Sequence, residues 1–315
     1  MTVGRFAPSP TGDLHLGSAL AALAAWASAR SAGGRFVWRV EDLDGPRAVA
    51  GAAERQMEDA RWLGLDWDEG PDVGGPHGPY RQSERDGLYE AALRRLAEAG
   101  RLFPCRVSRK DLQELASAPH GAEGLPPYPA SLRPNRLGAD WFETETDCAF
   151  RLRVDPEAVT FKDRVVGRVT EDVSMSVGDF VLKRRDGVYA YQLAVVVDDL
   201  AMGATEVVRG ADLLDSTARQ ILLTRALGGV PPTYAHVPLL VAEDGRKLSK
   251  REGDLTLCAL RDAGVRPDAV VAWLSEALGQ HGRTPPEVAA AFDASRVPTD
   301  PILVPPDLAV RLGER

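Results

Sequence analysis

Cysteine is scarce in this sequence, and no two cysteines have the spacing of a metal site. The three cysteines, Cys105, Cys148 and Cys258, lie far apart in a chain of 315 residues. Disulfide-stabilised secreted domains and cysteine-rich zinc modules use several closely spaced cysteines. Neither class is indicated here, and we expect reduced thiols.

Long apolar runs and an excess of basic residues are also missing. No stretch approaches the roughly 18 apolar residues of a membrane span, and the first residues lack the pattern of a secretory signal. We therefore predict a cytoplasmic protein without a membrane partner. The formal net charge of -8 argues mildly against a nucleic-acid partner, although a local basic surface would be sufficient for binding.

The first part of the chain alternates between strand and helix patterns. The segment 35–42 is typical of a strand, and alanine-rich helical patterns flank it at 16–32 and 49–63. This order predicts an α/β fold with a parallel sheet, whose ligand site lies beyond the carboxyl ends of the strands. The chain length suggests about two domains.

A β-rich region interrupts this pattern. Prolines break all periodicity at 118–135. Short strands are predicted within 148–154, 159–173 and 179–199, with a hairpin turn at Asp186-Gly187.

Strand and helix patterns then return. The segment 204–227 predicts a strand followed by a helix, for which Asp215 and Ser216 are candidate N-caps. Another buried strand is predicted at 236–241, and helical patterns follow from residue 255.

Two short motifs stand on either side of this framework. HLGS lies at 15–18, within the opening segment GRFAPSPTGDLHLGS, and KLSKR lies at 247–251. Each motif alone is weak evidence of function. A histidine before a helix is usually a surface or cap residue, and a lysine-rich loop is usually solvated. Together they resemble the HIGH and KMSKS motifs of class I aminoacyl-tRNA synthetases. RFAPSPTG, EDLD, GPYRQSER, YQLAVVVDD and RGADLL follow the order of the glutamyl branch, so the resemblance extends to Arg251.

The resemblance implies a class I Rossmann-like parallel sheet that is split by a mixed α/β insertion and followed by a short helical C-terminal region. We accordingly divide the chain into a first catalytic half (1–100), an insertion (101–175), a second catalytic half (176–245) and the KLSKR loop with a helical region (246–315). No anticodon-binding domain is expected, because only residues 252–315 follow the lysine motif.

Amino-acid activation joins a carboxylate to the α-phosphate of ATP, so the site must gather several anions. A helix N-terminus supplies free N–H groups for this purpose. The resemblance implies His15, Lys247 and Lys250 as catalytic residues that neutralise the phosphates. The implied ATP site comprises Gly12, His15, Gly17, Ser18, Lys247, Ser249 and Lys250, with Gly17 leaving room for adenine. Mg²⁺ is implied by the ATP chemistry, although no dedicated ligand set is visible.

Free L-glutamate carries two carboxylates and one ammonium, so a selective pocket needs two guanidinium groups and one acid. Arg5, Arg209 and Glu41 fit that count. The resemblance implies a glutamate site of Arg5, Ala7, Ser9, Glu41, Tyr191 and Arg209, in which Glu41 holds the ammonium and Arg5 is favoured for the side-chain carboxylate. Outside their motifs, Arg209 would be interpreted as a surface ion-pair residue and Tyr191 as a core aromatic.

Two departures from full-length glutamyl-tRNA synthetases are informative. The anticodon-reading domain is missing, and Val195 stands where those enzymes commonly carry asparagine. Both resemble the short paralogues, which activate glutamate without tRNA and esterify it to the queuosine base in the anticodon of tRNA(Asp). The alternatives are a truncated synthetase that charges the tRNA acceptor end, and a non-catalytic nucleotide- or RNA-binding module.

Many short paralogues bind zinc through C-x-C followed by Y-x-x-x-C. The corresponding positions here are Cys105 with Val107 and Tyr128 with Leu132. One thiolate and one phenol cannot form a tetrahedral site, so no structural zinc is predicted. The insertion is instead expected to be held by packing around residues 141–142.

Basic stretches at 151–153, 183–185 and 246–251 are candidates for contacts with tRNA phosphates. Runs of charge are more often solvated surfaces. A solvated surface and a tRNA contact therefore both stay open for these stretches.

Overall fold

The computed structural model describes residues 1–108, 111–112, 127–134, 137–138, 140–246 and 255–314. The helices are α1 (Leu16–Ser31), α2 (Ala52–Trp62), α3 (Asp86–Glu98), α4 (Trp141–Thr144), α5 (Val173–Ser176), α6 (Tyr191–Ala201), α7 (Thr217–Ala226), α8 (Leu257–Asp262), α9 (Pro267–Ala277), α10 (Pro285–Ala290) and α11 (Leu308–Gly313). The strands are β1 (Val3–Phe6), β2 (Arg35–Trp38), β3 (Leu102–Cys105), β4 (Ala149–Leu152), β5 (Ala158–Asp163), β6 (Gly167–Asp172), β7 (Val181–Lys183), β8 (Glu206–Gly210), β9 (Thr233–Val237), β10 (Leu240–Val241) and β11 (Ile302–Leu303).

Parallel strands form the centre of the molecule. β1 pairs in parallel with β2, and β8 pairs in parallel with β9. Thr205 joins the two pairs, because its N–H donates to the carbonyl of Val3 at 2.9 Å and its hydroxyl accepts from the N–H of Val3 at 2.9 Å. The carboxyl ends of all four strands therefore meet at one edge, as the sequence predicts.

Helix α1 is buried on almost every side. Its alanines pack between β1 and β8 on one side and the C-terminal helices α9 and α10 on the other. Gly4 permits this approach, since a Cβ at that position would lie 2.8 Å from the Cβ of Ala29. The small side chains thus let the helix lie close to the sheet, with its N-terminus at the edge where the strands end.

The β-rich insertion contributes to two sheets. β3, β4 and β7 form an antiparallel sheet, whereas the β5–β6 hairpin continues the central sheet because β5 pairs in parallel with β9. Trp141 and Phe142 pack against Phe150 with ring centroids 5.8 and 5.5 Å apart, which confirms the predicted aromatic packing. The division at residues 101, 176 and 246 stays a prediction.

Two local predictions were wrong. The segment YQLAVVVDD forms helix α6, whereas the sequence pattern predicted a strand. Ser216 precedes α7 without a side-chain cap hydrogen bond, so neither Asp215 nor Ser216 caps the helix as expected. The turn at Asp186-Gly187 is confirmed by the hydrogen bond from the N–H of Arg184 to the carbonyl of Val188.

Candidate active site

A pocket of about 360 Å³ opens at the edge where β1, β2, β8 and β9 end. Its walls come from the loop after β1, the N-terminus of α1, the residues that follow β2 and β8, and the start of α6. Nine predicted site residues line it: Arg5, Ala7, Ser9, His15, Gly17, Ser18, Glu41, Tyr191 and Arg209. The fold therefore brings residues of five motifs to one cavity: RFAPSPTG, HLGS, EDLD, YQLAVVVDD and RGADLL.

Four other predicted site residues are not among these nine. Gly12 does not line this pocket, and its carbonyl accepts from Nε2 of Gln56 at 2.6 Å. Its φ of 136° is readily adopted only by glycine, so the turn itself explains this residue. Lys247, Ser249 and Lys250 lie outside the described residues.

His15 is the N-cap of α1. Its Nδ1 accepts from the backbone N–H of Ser18 at 3.2 Å, and its Nε2 lies 3.1 Å from the hydroxyl of Ser18. Nδ1 is therefore the acceptor and Nε2 carries the proton of the neutral ring. A Cβ at Gly17 would lie 3.1 Å from the ring atoms of His15, so this glycine makes room for the histidine, and its role beside adenine stays a prediction.

The described residues that follow 247–254 lie next to His15. Leu240 lines the pocket before this segment. After it, Thr256 forms an antiparallel bridge with His15, and the N–H of Leu257 donates to the carbonyl of Leu14 at 2.8 Å. The chain is thus anchored at the helix N-terminus directly after the lysine motif.

Arg5 and Glu41 are linked by a buried chain of charges. Nε of Arg5 lies 3.4 Å from Oδ1 of Asp199, and Arg39 donates to that same oxygen at 2.7 Å and to Oε1 of Glu41 at 2.9 Å. Burial opposes ionisation of Asp199, but Arg5 and Arg39 outweigh it and lower the pKa of this carboxyl. Burial is the largest influence on Glu41 and raises its pKa despite Arg39.

The terminal nitrogens of Arg5 have no hydrogen-bond partner among the described residues, although its side chain is only 6% exposed. The guanidinium is thus oriented through Nε and leaves its two Nη atoms for an anion in the pocket. Such a geometry suits bidentate binding of a carboxylate.

Among the described residues, Arg209 donates its hydrogen bonds to neutral groups. Its Nε donates to Nε2 of His236 at 3.0 Å, its Nη1 to Gln220 at 2.8 Å, and its Nη2 to Thr217 at 2.9 Å and to the carbonyl of Leu213 at 3.2 Å. The guanidinium also lies 5.5 Å from the ring centroid of Tyr234. A buried cation without a carboxylate partner favours an anionic ligand in the pocket that it lines.

The buried charges beside the pocket are close to balanced among the described residues. Arg5 and Arg39 lie with Glu41 and Asp199, and Arg209 has the buried carboxylate of Asp163 behind His236. The neighbouring Asp198 is neutralised separately, because Arg85 donates to it at 2.6 Å and Tyr89 and Gln82 donate to its carboxylate as well.

A second cleft of about 710 Å³ adjoins the first and shares Ser9, Glu41 and Tyr191 with it. Its walls are rich in arginine and include Arg47, Arg106, Arg151, Arg184 and Arg185. Four of these have carboxylate partners: Arg47 with Asp44, Arg106 with Glu145, Arg184 with Asp186 and Arg185 with Asp147. Tyr191 is about one-third exposed at the junction of the two cavities.

At the positions where related proteins carry metal ligands, the insertion has hydrogen bonds and packing. Sγ of Cys105 lies 3.6 Å from the hydroxyl of Tyr128, Nε of Arg151 lies 3.2 Å from that sulfur, and its guanidinium lies 4.3 Å from the ring centroid of Tyr128. Within the described ranges, no three His, Cys, Asp or Glu side chains converge on a metal position. The absence of zinc stays a prediction.

Sequence reasoning missed four buried groups that shape this site. Arg39 was detectable as a charge inside an apolar strand, two residues before Glu41 and on the same face. Asp199 ends the apolar run of α6, where its charge is equally conspicuous. Asp163 and His236 carried no such signal, because they are 73 residues apart and meet only through strand pairing.

Three comparisons with known proteins agree with this geometry. Residues 1–296 match the family described as tRNA synthetases class I (E and Q), catalytic domain. The chain is 50% identical to the glutamyl-Q tRNA(Asp) synthetase of Symbiobacterium thermophilum, with 99% of each chain covered. It is 46% identical to the protein of that name from Nitratidesulfovibrio vulgaris, with 99% of this chain and 98% of the other covered.

The fold is also similar to a solved synthetase. The crystal structure of glutamate-tRNA synthetase from Elizabethkingia anophelis matches with a TM-score of 0.86 at 28% identity, over 99% of this chain and 69% of that one. Among the helices of the described ranges, none has the length and apolarity needed to cross a bilayer.

Proposed function

The chain belongs to the class I tRNA synthetases (E and Q), and we propose that this ligase activates L-glutamate with ATP without requiring tRNA. We further propose that it transfers the glutamyl group to the queuosine base in the anticodon of tRNA(Asp). The names of its similar relatives support this acceptor. The observation that carries the amino-acid assignment is the convergence of Arg5, Arg209 and Glu41 on one pocket, where the Nη atoms of Arg5 have no hydrogen-bond partner among the described residues.

Glutamate matches this charge arrangement. Its ammonium would pair with Glu41, whose ionised form is favoured once a cation replaces lost water. Its side-chain carboxylate would bind the Nη atoms of Arg5, and Arg209 would face the other carboxylate. Ala7, Ser9 and Tyr191 complete the lining. Glutamate offers a carboxylate to each of the two arginines, whereas glutamine leaves the Nη atoms of Arg5 without an anion.

The N-terminus of α1 suits the reaction with ATP. The α-carboxylate oxygen attacks the α-phosphorus and forms a new P–O bond, while the bond to pyrophosphate breaks. His15 would donate its Nε2 proton to a phosphate oxygen, and Gly17 presents its backbone N–H at the same helix end. Lys247 and Lys250, with Ser249, are proposed to stabilise the leaving pyrophosphate.

Mg²⁺ accompanies ATP chemistry generally, commonly bound to the phosphates with only one or two carboxylates. Among the described residues, no three His, Cys, Asp or Glu side chains are grouped so that they could hold a metal ion.

The arginine-lined second cleft supports a polynucleotide acceptor. It opens onto the amino-acid site at Tyr191 and carries Arg47, which pairs with the exposed Asp44, and Arg151. Phosphates would compete for these guanidinium groups, so tRNA binding should weaken as salt rises. Of the predicted basic stretches, Arg151, Arg184 and Arg185 line this cleft and Arg246 does not, whereas residues 247–251 lie outside the described residues.

Pyrophosphate exchange without tRNA tests the proposal. The enzyme should exchange with glutamate and use glutamine at least ~30-fold less efficiently, because a neutral amide leaves a buried guanidinium without its counter-charge at a cost of roughly 2 to 4 kcal/mol. Aspartate should also be poor, since it is one methylene short. Equal kcat/KM for glutamate and glutamine would overturn the amino-acid assignment.

A further inference from the structure

A buried chain of hydrogen bonds connects the insertion to Arg209. Oδ2 of Asp163, at the end of β5, lies 2.7 Å from Nδ1 of His236 on β9. The opposite ring nitrogen, Nε2, lies 3.0 Å from Nε of Arg209 on β8. Asp163 and His236 are each 1% exposed, so no water competes for these contacts.

The chemistry of the three groups fixes the position of one proton. A guanidinium only donates, so Nε2 of His236 must accept and cannot carry a proton. An ionised carboxylate only accepts, so Asp163 retains the ring proton on Nδ1. Asp163 therefore selects the one neutral tautomer that can bind Arg209.

The electrostatic surroundings favour the same state. Burial has the largest effect on His236 and, together with Arg209, lowers its pKa despite the nearby Asp163. For Asp163, burial is outweighed by the hydrogen bond from His236 and by the backbone N–H groups of Val165 and Val166, so its pKa is lowered. The pair is thus a carboxylate and a neutral ring.

We propose that Asp163 and His236 are positioning residues for the amino-acid site, and that the tautomer of His236 sets the orientation of Arg209 and thereby the affinity for glutamate. The inference rests on the proposed function, because it requires Arg209 to face a carboxylate of glutamate. It also assigns a role to the β5 strand, which brings Asp163 from the insertion to the central sheet.

Asp163→Asn tests this with little change in shape. The amide oxygen can still accept from the backbone of Val165 and Val166, which donate to Oδ1 at 2.9 Å each. The amide NH₂ then faces Nδ1 of His236, which moves the ring proton to Nε2, directly opposite the Nε proton of Arg209. We expect the KM for glutamate to rise about tenfold or more, with the KM for ATP changed less than twofold.

Asp179→Asn is the matched control. Asp179 is a buried carboxylate of the same β-rich region that pairs with Arg133 at 2.6 Å and accepts from the N–H of Val154 at 2.8 Å. It does not contact His236. This variant should lower the melting temperature without raising the KM for glutamate.

A second background separates positioning from structural support. In His236→Gln, the amide oxygen can accept from Arg209 whatever residue stands at 163. Adding Asp163→Asn to this background should change the KM for glutamate less than twofold. The proposal would be contradicted if the double variant raised the KM for glutamate by the product of the two single-variant effects.

The tautomer itself can be measured without turnover. In protein labelled with ¹⁵N-histidine, the parent should show protonated Nδ1 and bare Nε2 at His236, and Asp163→Asn should show the reverse; His236→Gln assigns the signal. An unchanged tautomer, or a KM effect no larger than that of Asp179→Asn, would overturn the inference while glutamate activation by the parent stands. Absence of glutamate-dependent exchange in the parent would instead overturn the proposed function, and this inference with it.

Discussion

Arg5 and Arg209 are both buried at the amino-acid site, but they are held in different ways. Most N–H groups of Arg209 donate hydrogen bonds to neutral protein acceptors. The two Nη atoms of Arg5, in contrast, have no acceptor among the described residues. We therefore propose that Arg5, rather than Arg209, binds the side-chain carboxylate of glutamate in a bidentate manner.

Arg5→Gln should consequently erode selectivity more than nucleotide binding. Removing the cation weakens glutamate binding and also removes the penalty that rejects glutamine, so the ratio of kcat/KM for the two amino acids should fall by about tenfold or more. The KM for ATP should change little. Exchange kinetics measure this, with Arg61→Gln, a distant cation paired with Asp72, as control. A variant that retains the parental ratio would assign the carboxylate to another residue.

His15 caps α1, and substitutions can separate this structural role from the catalytic role that we propose for it. His15→Ala removes both the α1 cap and the phosphate donor, so adenylate formation should slow by ~10²-fold or more and unfolding free energy should fall by about 1 kcal/mol. His15→Asn retains a cap but not the reach of the ring. It should restore the stability while leaving the rate low.

Exchange rates and urea unfolding of both variants check this prediction, with the exposed His281→Ala as control. Near-parental exchange in His15→Ala would contradict the role of the HLGS motif.

At the scale of single elements, helix α6 shows where sequence patterns fail. Its run of valines favours a strand by intrinsic propensity, but Leu193 to Asp199 are all buried, and periodicity cannot distinguish a strand from a helix that is buried all round. Tertiary contacts decide, because the helix brings Asp198 to Arg85 and Asp199 to Arg39. Val195 lies in this core, 1% exposed, and does not line the pocket.

The prediction that the insertion holds no zinc concerns residues at the antiparallel sheet of β3, β4 and β7. Cys105, Tyr128 and Arg151 contact one another there, and the apolar Val107 and Leu132 occupy the two remaining ligand positions. Elemental analysis of purified protein should find well under one zinc per chain, and a chelator should leave the melting temperature unchanged. Stoichiometric zinc that survives dialysis would contradict this reading of the insertion.

At the scale of the whole molecule, the alternation of strand and helix patterns was sufficient to predict the parallel sheet and the edge at which the site lies. The charges that glutamate requires and the family resemblance pointed to Arg5, Glu41 and Arg209, which line the pocket near the ends of β1, β2 and β8. The sequence could not show that β5 leaves the insertion to pair with β9, since strand partners far apart in sequence are chosen by packing. Asp163 and His236 were missed for that reason.

Transfer of labelled glutamate to defined tRNAs tests the central claim most directly. The acceptors are tRNA(Asp) with queuosine, the same tRNA without queuosine, and queuosine-bearing tRNA(Asp) from which the 3′-terminal adenosine has been removed. We predict that both queuosine-bearing tRNAs accept glutamate equally and that the unmodified tRNA accepts none. Labelling of unmodified tRNA, or labelling that requires the terminal adenosine, would contradict the account and identify an enzyme that charges the acceptor end.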